Sequence, residues 1–288
     1  MLLGVFSSFL GAFFQALNYI LTQNCQQKNG IDGVKLLVAV HVGIGLLALI
    51  PTVVLGYWQL VTLDLIWDFV LINFPYLVAQ YLLIIAIRYS DASIVSPLLA
   101  LKIPVLAIIS VLFYQAGFST IQWMTIGIIL AIAWYFSMLS GSINIKPLLL
   151  IFGASVGYSL SDMAITNLSH KLLDGSPVEQ SFATICVNYL ACGVMSIPLI
   201  RPMKVTIATV YHARWVALAW FFAVIFLILG FNISGVVSGN IVQSLRGVIG
   251  VIFAYVLFRK QVDQPVALWR KKLFAAMGMF VAVGLFYC

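Results

Sequence analysis

Apolar residues follow one another along this chain in long runs, each ended by a short polar stretch. A helix needs about 20 apolar residues to cross a hydrocarbon layer about 30 Å thick. On that measure the runs predict ten membrane helices, over residues 3–23, 36–58, 65–87, 92–114, 121–139, 147–168, 182–199, 215–234, 235–258 and 268–287. The first run lacks the basic flank and small-residue cleavage site of a signal peptide, so it is expected to stay as the first membrane helix. The breaks between runs are too short to fold alone, and the longest, near 201–214 and 259–266, are basic.

Composition narrows the class further. Of 288 residues, 63% are hydrophobic and 8% are charged, against about 25% charged in a soluble domain. A water-exposed fold is excluded, as are a disordered chain and a disulfide scaffold, since there are only four cysteines. The fold class expected is all-α, a polytopic membrane protein embedded in a lipid bilayer. The net charge of +7 comes from residues scattered among short loops. It reads as an orientation signal, and no nucleic-acid partner is expected. Cys25 falls in a loop, Cys186 and Cys192 share one run, and Cys288 ends the chain. None has metal-ligand spacing, so no metal or cofactor is expected.

Enzymatic chemistry finds little footing. The chain has no glycine-rich phosphate loop, no HExxH and no clustered carboxylates. Of its three histidines, His41 lies inside the second run and is expected to be hydrogen-bonded, while His170 and His212 fall in separate loops.

Sliding the chain against itself by half its length reveals a repeat. Gly11, Gln15, Asn18 and Thr22 share one helical face, and a shift of 144 carries them onto Ser155, Ser159, Asp162 and Thr166. The same shift sends Ser96 to Asn240 and Lys102 to Arg246. Residues 1–144 and 145–288 are therefore expected to be two five-helix repeats. An odd helix number makes the second copy enter from the opposite side, so the repeats are inverted, and such repeats bind substrate at their interface near the midplane.

Lys102 stands ten residues into the fourth predicted helix and Arg246 eleven into the ninth, about 15 Å deep in each. Each charge costs about 2.5–3.5 kcal/mol at that depth. Facing each other across a cavity, the two could hold a phosphate or carboxylate, Arg246 by its forked donors and Lys102 as a compact charge. The alternative is structural, with Asp162 neutralising one cation and Asn240, Gln243 or carbonyls holding the other. Asn240, Gln243 and Arg246 recur every three residues, and Gly239, Gly247 and Gly250 nearby would let a neighbouring helix approach closely. Pro97 and Pro104 bracket Lys102 and would each remove a helical hydrogen bond. Asn18, Asp162, Asn240 and Gln243 are the candidates for orienting substrate.

The stretch 86–115, AIRYSDASIVSPLLALKIPVLAIISVLFYQ, and that from Gly239, GNIVQSLRGVIGVIFAYVLFRK, resemble the fourth and ninth helices of the drug/metabolite transporter superfamily, especially its EamA-like members. One departure is Gln115-Ala116, where many members carry Gly-Glu. The resemblance implies ten helices, a place in the cell (inner) membrane, and alternating-access transport of a small organic solute by a monomer or homodimer without cofactor. The cavity is expected among helices one, three, four, six, eight and nine. Lys102 and Arg246 are placed like the basic residues that clasp phosphate in the superfamily's sugar-phosphate carriers, so an anionic or phosphorylated metabolite is expected. The alternatives are an exporter of amino acids or drug-like metabolites, and a membrane enzyme or scaffold that moves nothing.

Loops after odd-numbered helices, with the helix ends beside them, hold Lys28, Lys35, Arg88, Lys146, Arg201, Lys204, Arg214, Arg259, Lys260, Arg270, Lys271 and Lys272, whereas those after even-numbered helices hold only Lys171. The positive-inside rule puts the odd loops in the cytoplasm and both termini outside. The superfamily's usual arrangement puts both termini in the cytoplasm.

Overall fold

The computed structural model describes residues 1–89, 95, 98–139, 141, 144–258 and 266–287. Ser96 and Pro97, most of 92–97 at the start of the fourth predicted helix, Arg259, Lys260 and Cys288 lie outside the described residues. The elements are α1 (Leu2–Asn29), α2 (Gly33–Val54), α3 (Ile66–Tyr89), α4 (Lys102–Tyr114), α5 (Thr120–Met138), α6 (Ile145–Leu172), α7 (Pro177–Ile200), α8 (Ile207–Ser234), α9 (Val236–Gln243), α10 (Arg246–Phe258) and α11 (Val266–Phe286). No strand occurs among the described residues, and seven of the helices there are long and apolar enough to cross a membrane. The chain is an all-α integral membrane protein. Many large apolar side chains, Trp67, Phe74 and Phe113 among them, stand exposed on helix surfaces, where lipid would cover them.

Local chemistry sets several helix ends. α2 starts where the Asp32 carboxylate accepts from the Val34 N–H at 2.9 Å. α5 and α7 open on reciprocal capping boxes, Ser119 with Gln122 and Ser176 with Glu179. Gly30, at φ 61°, closes α1, a left-handed conformation that glycine adopts without steric cost.

Several helix ends depart from the apolar runs. α1 continues to Asn29, which brings Cys25 into the helix and buries it, while α8 begins at Ile207 and takes in His212 and Arg214. His170 sits in the last turn of α6. An apolar run measures the part of a helix inside hydrocarbon, and nothing stops the hydrogen-bonded backbone from continuing into the polar interface.

The fourth and ninth runs are not continuous helices. α4 starts at Lys102 after a 3-10 turn, Leu99–Leu101. Pro104 is its third residue, a position whose N–H has no intrahelical partner, so this proline removes no bond. Between α9 and α10 the backbone tightens: Leu245 N–H donates to Val242 O at 3.0 Å and Gly247 N–H to Ser244 O at 3.4 Å. Lys102 and Arg246, expected deep within long helices, are each the first residue of a 13-residue helix.

The chain forms two compact units, Met1–Phe74 with Ser161–Ser234, and Pro75–Leu160 with Gly235–Cys288. Each draws on both halves of the sequence. In the first unit α1 packs on α8, and α2 packs on α7 and α8. The α2–α7 crossing is a glycine-on-glycine contact, since a Cβ added at Gly193 would stand 2.7 Å from the Gly45 Cα. Gly11 fits against Leu227 and Gly230 against Ser8. Asn73 Nδ2 donates to Asn188 Oδ1 at 2.9 Å, and Asn232 Nδ2 donates to Ser169 Oγ at 2.7 Å and Ser181 Oγ at 2.9 Å.

In the second unit α5 packs on α11, and α9 packs on α4 and α11. Its core includes Ala79, Leu83, Leu98, Leu99, Ile151 and Ala154. Gly157 lies against the Pro75 carbonyl, which a Cβ would approach to 2.6 Å. At Gly247 and Gly250, in contrast, no described atom lies within 4 Å of an added Cβ. Among the described residues no helix makes the close approach expected at those two glycines.

Candidate functional site

The candidate residues divide between the units. Asn18 and Asp162 belong to the first, and Lys102, Asn240, Gln243 and Arg246 belong to the second.

In the first unit Asn18 is buried on α1 and its Nδ2 donates to Val216 O on α8 at 2.8 Å. That donor ties two helices together, which is the structural use of the amide. Asp162 is half-buried on α6. His41 is buried, with Nδ1 2.7 Å from Leu37 O one turn earlier, as the sequence led one to expect.

In the second unit Lys102 is 5% exposed and Arg246 9% exposed. The break before α4 ends at Lys102, and Ser159 Oγ on α6 reaches the lysine's own carbonyl at 3.4 Å and Ser155 O at 2.7 Å. The Lys102 ammonium lies 5.8 Å from the centroid of the Tyr158 ring, close enough for a cation–π attraction. Tyr158 in turn packs 6.1 Å from Tyr76, and Gln80 Nε2 donates to the Tyr76 hydroxyl at 3.0 Å. The lysine thus meets Tyr158, which Tyr76 and Gln80 back in turn. Tyr158 carries no role in the sequence reading because one aromatic among many greasy positions carries no signal. The usable sign is its neighbour Ser159, one of the repeat-matched polar residues.

Arg246 lines a small pocket with Ala100, Ala133, Phe136, Ser244 and Met279. Lys102 is not in its wall, although Ala100, two residues before it, is. This hollow therefore does not bring the two cations face to face. Asn240 and Gln243 are buried on α9, and Asn240 Nδ2 donates to Val236 O at 2.9 Å. Between them and Arg246 the backbone tightens at Ser244 into three-residue hydrogen-bonded turns, a geometry that keeps side chains three apart on one side. Among the described residues no group of histidine, cysteine and carboxylate side chains is arranged to hold a metal.

Both cations occupy helix starts. The N-terminal end of a helix carries roughly half a positive charge, and a lysine or arginine there is worked against by about 0.3–1 kcal/mol. Neither start stands open, however: Lys102 follows a 3-10 turn whose carbonyls accept its N–H, and Arg246 follows closely on the end of α9.

Residues 2–138 match the model of the EamA-like transporter family. Among solved structures, one crystal structure of a protein superimposes with a TM-score of 0.68 over 98% of this chain and 94% of its own, at 12% sequence identity. A likeness at that identity speaks to the fold. No curated protein matches the chain in sequence.

Proposed function

We propose, from the match of residues 2–138 to the EamA-like transporter family of the drug/metabolite transporter superfamily, that this chain is a secondary carrier of a small anionic organic solute. The observation that carries the anion is the matched placement of Lys102 and Arg246. Each is nine-tenths or more buried, each opens a 13-residue helix, and they are 144 positions apart. The same correspondence supports reading 1–144 and 145–288 as inverted five-helix repeats that work by alternating access.

Within this reading Lys102 holds a carboxylate or phosphate, and Tyr158 and Tyr76 flank whatever the anion is attached to. Arg246 supplies a second positive charge from its own small pocket in the same unit, with Asn240 and Gln243 buried on the preceding helix. Asp162 and Asn18 shape the other unit, Asn18 through its bond to α8. A cell (inner) membrane location fits a metabolite carrier.

The test is uptake into proteoliposomes. Lys102→Ala and Arg246→Ala should each abolish transport of an anionic solute while elution on size exclusion stays unchanged, and Lys102→Arg should restore part of it. Unchanged uptake in both alanine variants would refute the anion reading. A panel of anionic, zwitterionic and cationic solutes separates it from export of amino acids or drug-like metabolites, and no solute moving at all would favour a scaffold or enzyme.

A further inference from the structure

One end of the first unit carries a surface that includes none of the candidate substrate residues. α8 is 28 residues long, about 42 Å at 1.5 Å per residue, and so exceeds a hydrocarbon layer of about 30 Å by some two turns. The excess lies at its start, because the unbroken apolar run begins at Trp215 and the preceding turns contain Tyr211, His212 and Arg214. α1, also 28 residues long, ends at the same level, where Cys25 Sγ reaches His212 O at 3.5 Å.

This end is basic and aromatic. Tyr211 and Trp215, one turn apart, are 60% and 57% exposed. The Arg214 guanidinium carbon lies 3.8 Å from the Tyr211 ring centroid and 5.5 Å from that of Trp215, and its Nη1 donates to Tyr211 O at 2.7 Å. Arg201 and Lys204 are exposed in the turn before α8, which is held by Lys204 N–H to Arg201 O at 3.1 Å and Val205 N–H to Ile200 O at 2.9 Å. Lys28 is exposed near the end of α1, and Asp32 is the only acid in these segments. The segments joining α2 to α3 and α6 to α7 have the opposite balance. They hold Asp64, Asp68, Asp174 and Glu179 against Lys171, which pairs with Asp68 at 2.8 Å.

We propose that the collar formed by Arg201, Lys204, Tyr211, Arg214 and Trp215 is a docking surface for anionic phospholipid. The headgroup phosphate lies on the three cations, and the two rings rest at the boundary between headgroup and acyl chain, where tyrosine and tryptophan are most favourable. Charge complementarity and depth select this occupant. The collar sits where α8 emerges from the apolar layer, so a bilayer's own phosphates stand at its height. An exposed guanidinium laid over two rings keeps donors free for them.

Native mass spectrometry of the purified full-length protein tests this, with phosphatidylglycerol and phosphatidylcholine as probes. Phosphatidylglycerol should be retained in preference, and its apparent affinity should fall about fivefold for each cation removed. Arg214→Gln is the single variant, and Arg201→Gln, Lys204→Gln and Arg214→Gln together are the triple. Lys171→Gln, at the acidic segments, should change nothing. Equal retention of the two lipids by the wild type would overturn the proposal, as would undiminished phosphatidylglycerol retention by Arg214→Gln. Displacement of the lipid by glycerol phosphate at matching concentration would also overturn it, since the surface would then be a site for soluble anions. Unchanged phosphatidylcholine retention confirms that each variant is folded.

Discussion

A methyl group at Gly193 tests the packing of the first unit at its tightest point. Replacing Gly193 with alanine would put a carbon 2.7 Å from the Gly45 Cα and 3.5 Å from both the Gly45 nitrogen and the His41 carbonyl oxygen. Ordinary carbon contacts lie at about 3.5–4.0 Å, so α2 and α7 must part by about 1 Å. The obstacle is backbone, which cannot rotate away as a side chain would. Overpacking of this kind costs about 1–3 kcal/mol. Taking about 2 kcal/mol, and about 2–4 °C per kcal/mol for larger chains, Gly193→Ala should lower Tm by about 4–8 °C. The protein carries its own reporter, because Cys186 and Cys192 are free and buried on the same helix. A thiol-reactive fluorophore, scanned at a fixed rate, reads their exposure as α7 comes loose. Gly247→Ala is the control: an added Cβ there meets no described atom within 4 Å, and alanine is the better helix former by up to about 1 kcal/mol, so its Tm should hold or rise. Equal Tm for Gly193→Ala and wild type, or an equal fall in Gly247→Ala, would refute the assigned crossing.

Asn188→Leu takes one of two acceptors from the Asn73 amide, buried at 2% exposure, leaving it Phe69 O alone, and should cost about 1–3 kcal/mol; the double Asn73→Leu, Asn188→Leu should recover part of that loss in the same thermal assay. Ser176→Ala removes the capping box of α7 and should cost about 1 kcal/mol, read as a lower midpoint in denaturant. Lys171→Gln breaks an ion pair whose lysine side chain is 58% exposed, so its effect should stay within about 1 kcal/mol. Tyr158→Leu should raise the KM for an anionic solute while Tyr158→Phe keeps it near wild type, since the ring face is what the Lys102 ammonium meets; equal KM values for all three proteins would remove Tyr158 from the site.

Much of the fold was legible because membrane crossing imposes a length and an apolar content that need no partner to be recognised. The long runs that became α1, α2, α6 and α8 are of this kind. Their ends were not legible, because His212 and Arg214 sit as readily in a helix that projects past the membrane as in a loop. The breaks before Lys102 and Arg246 were hidden too, as residues such as Leu99, Leu101 and Leu245 are equally apolar in a 3-10 turn and in an α-helix. Buried charge was legible: Lys102 and Arg246 stand out in apolar runs and both are buried. Their neighbours were not, because Tyr76 and Gln80 of α3 reach Tyr158 of α6 only after folding. The glycines teach the same lesson, since composition singled out Gly247 and Gly250 while the contact that matters joins Gly45 to Gly193.

Taken alone, the sequence determined that this chain lives in a membrane as helices, that its polar positions recur at a half-length spacing, and that two cations lie within its apolar interior. Hydropathy and charge belong to each residue wherever it goes, so these properties can be read in one dimension. Which carbonyl Asn18 binds, which ring lies beneath Lys102, and which pocket Arg246 lines were decided by tertiary structure alone. Each depends on segments distant in sequence arriving within a few ångströms, and packing at that scale is fixed by the shapes of both partners together.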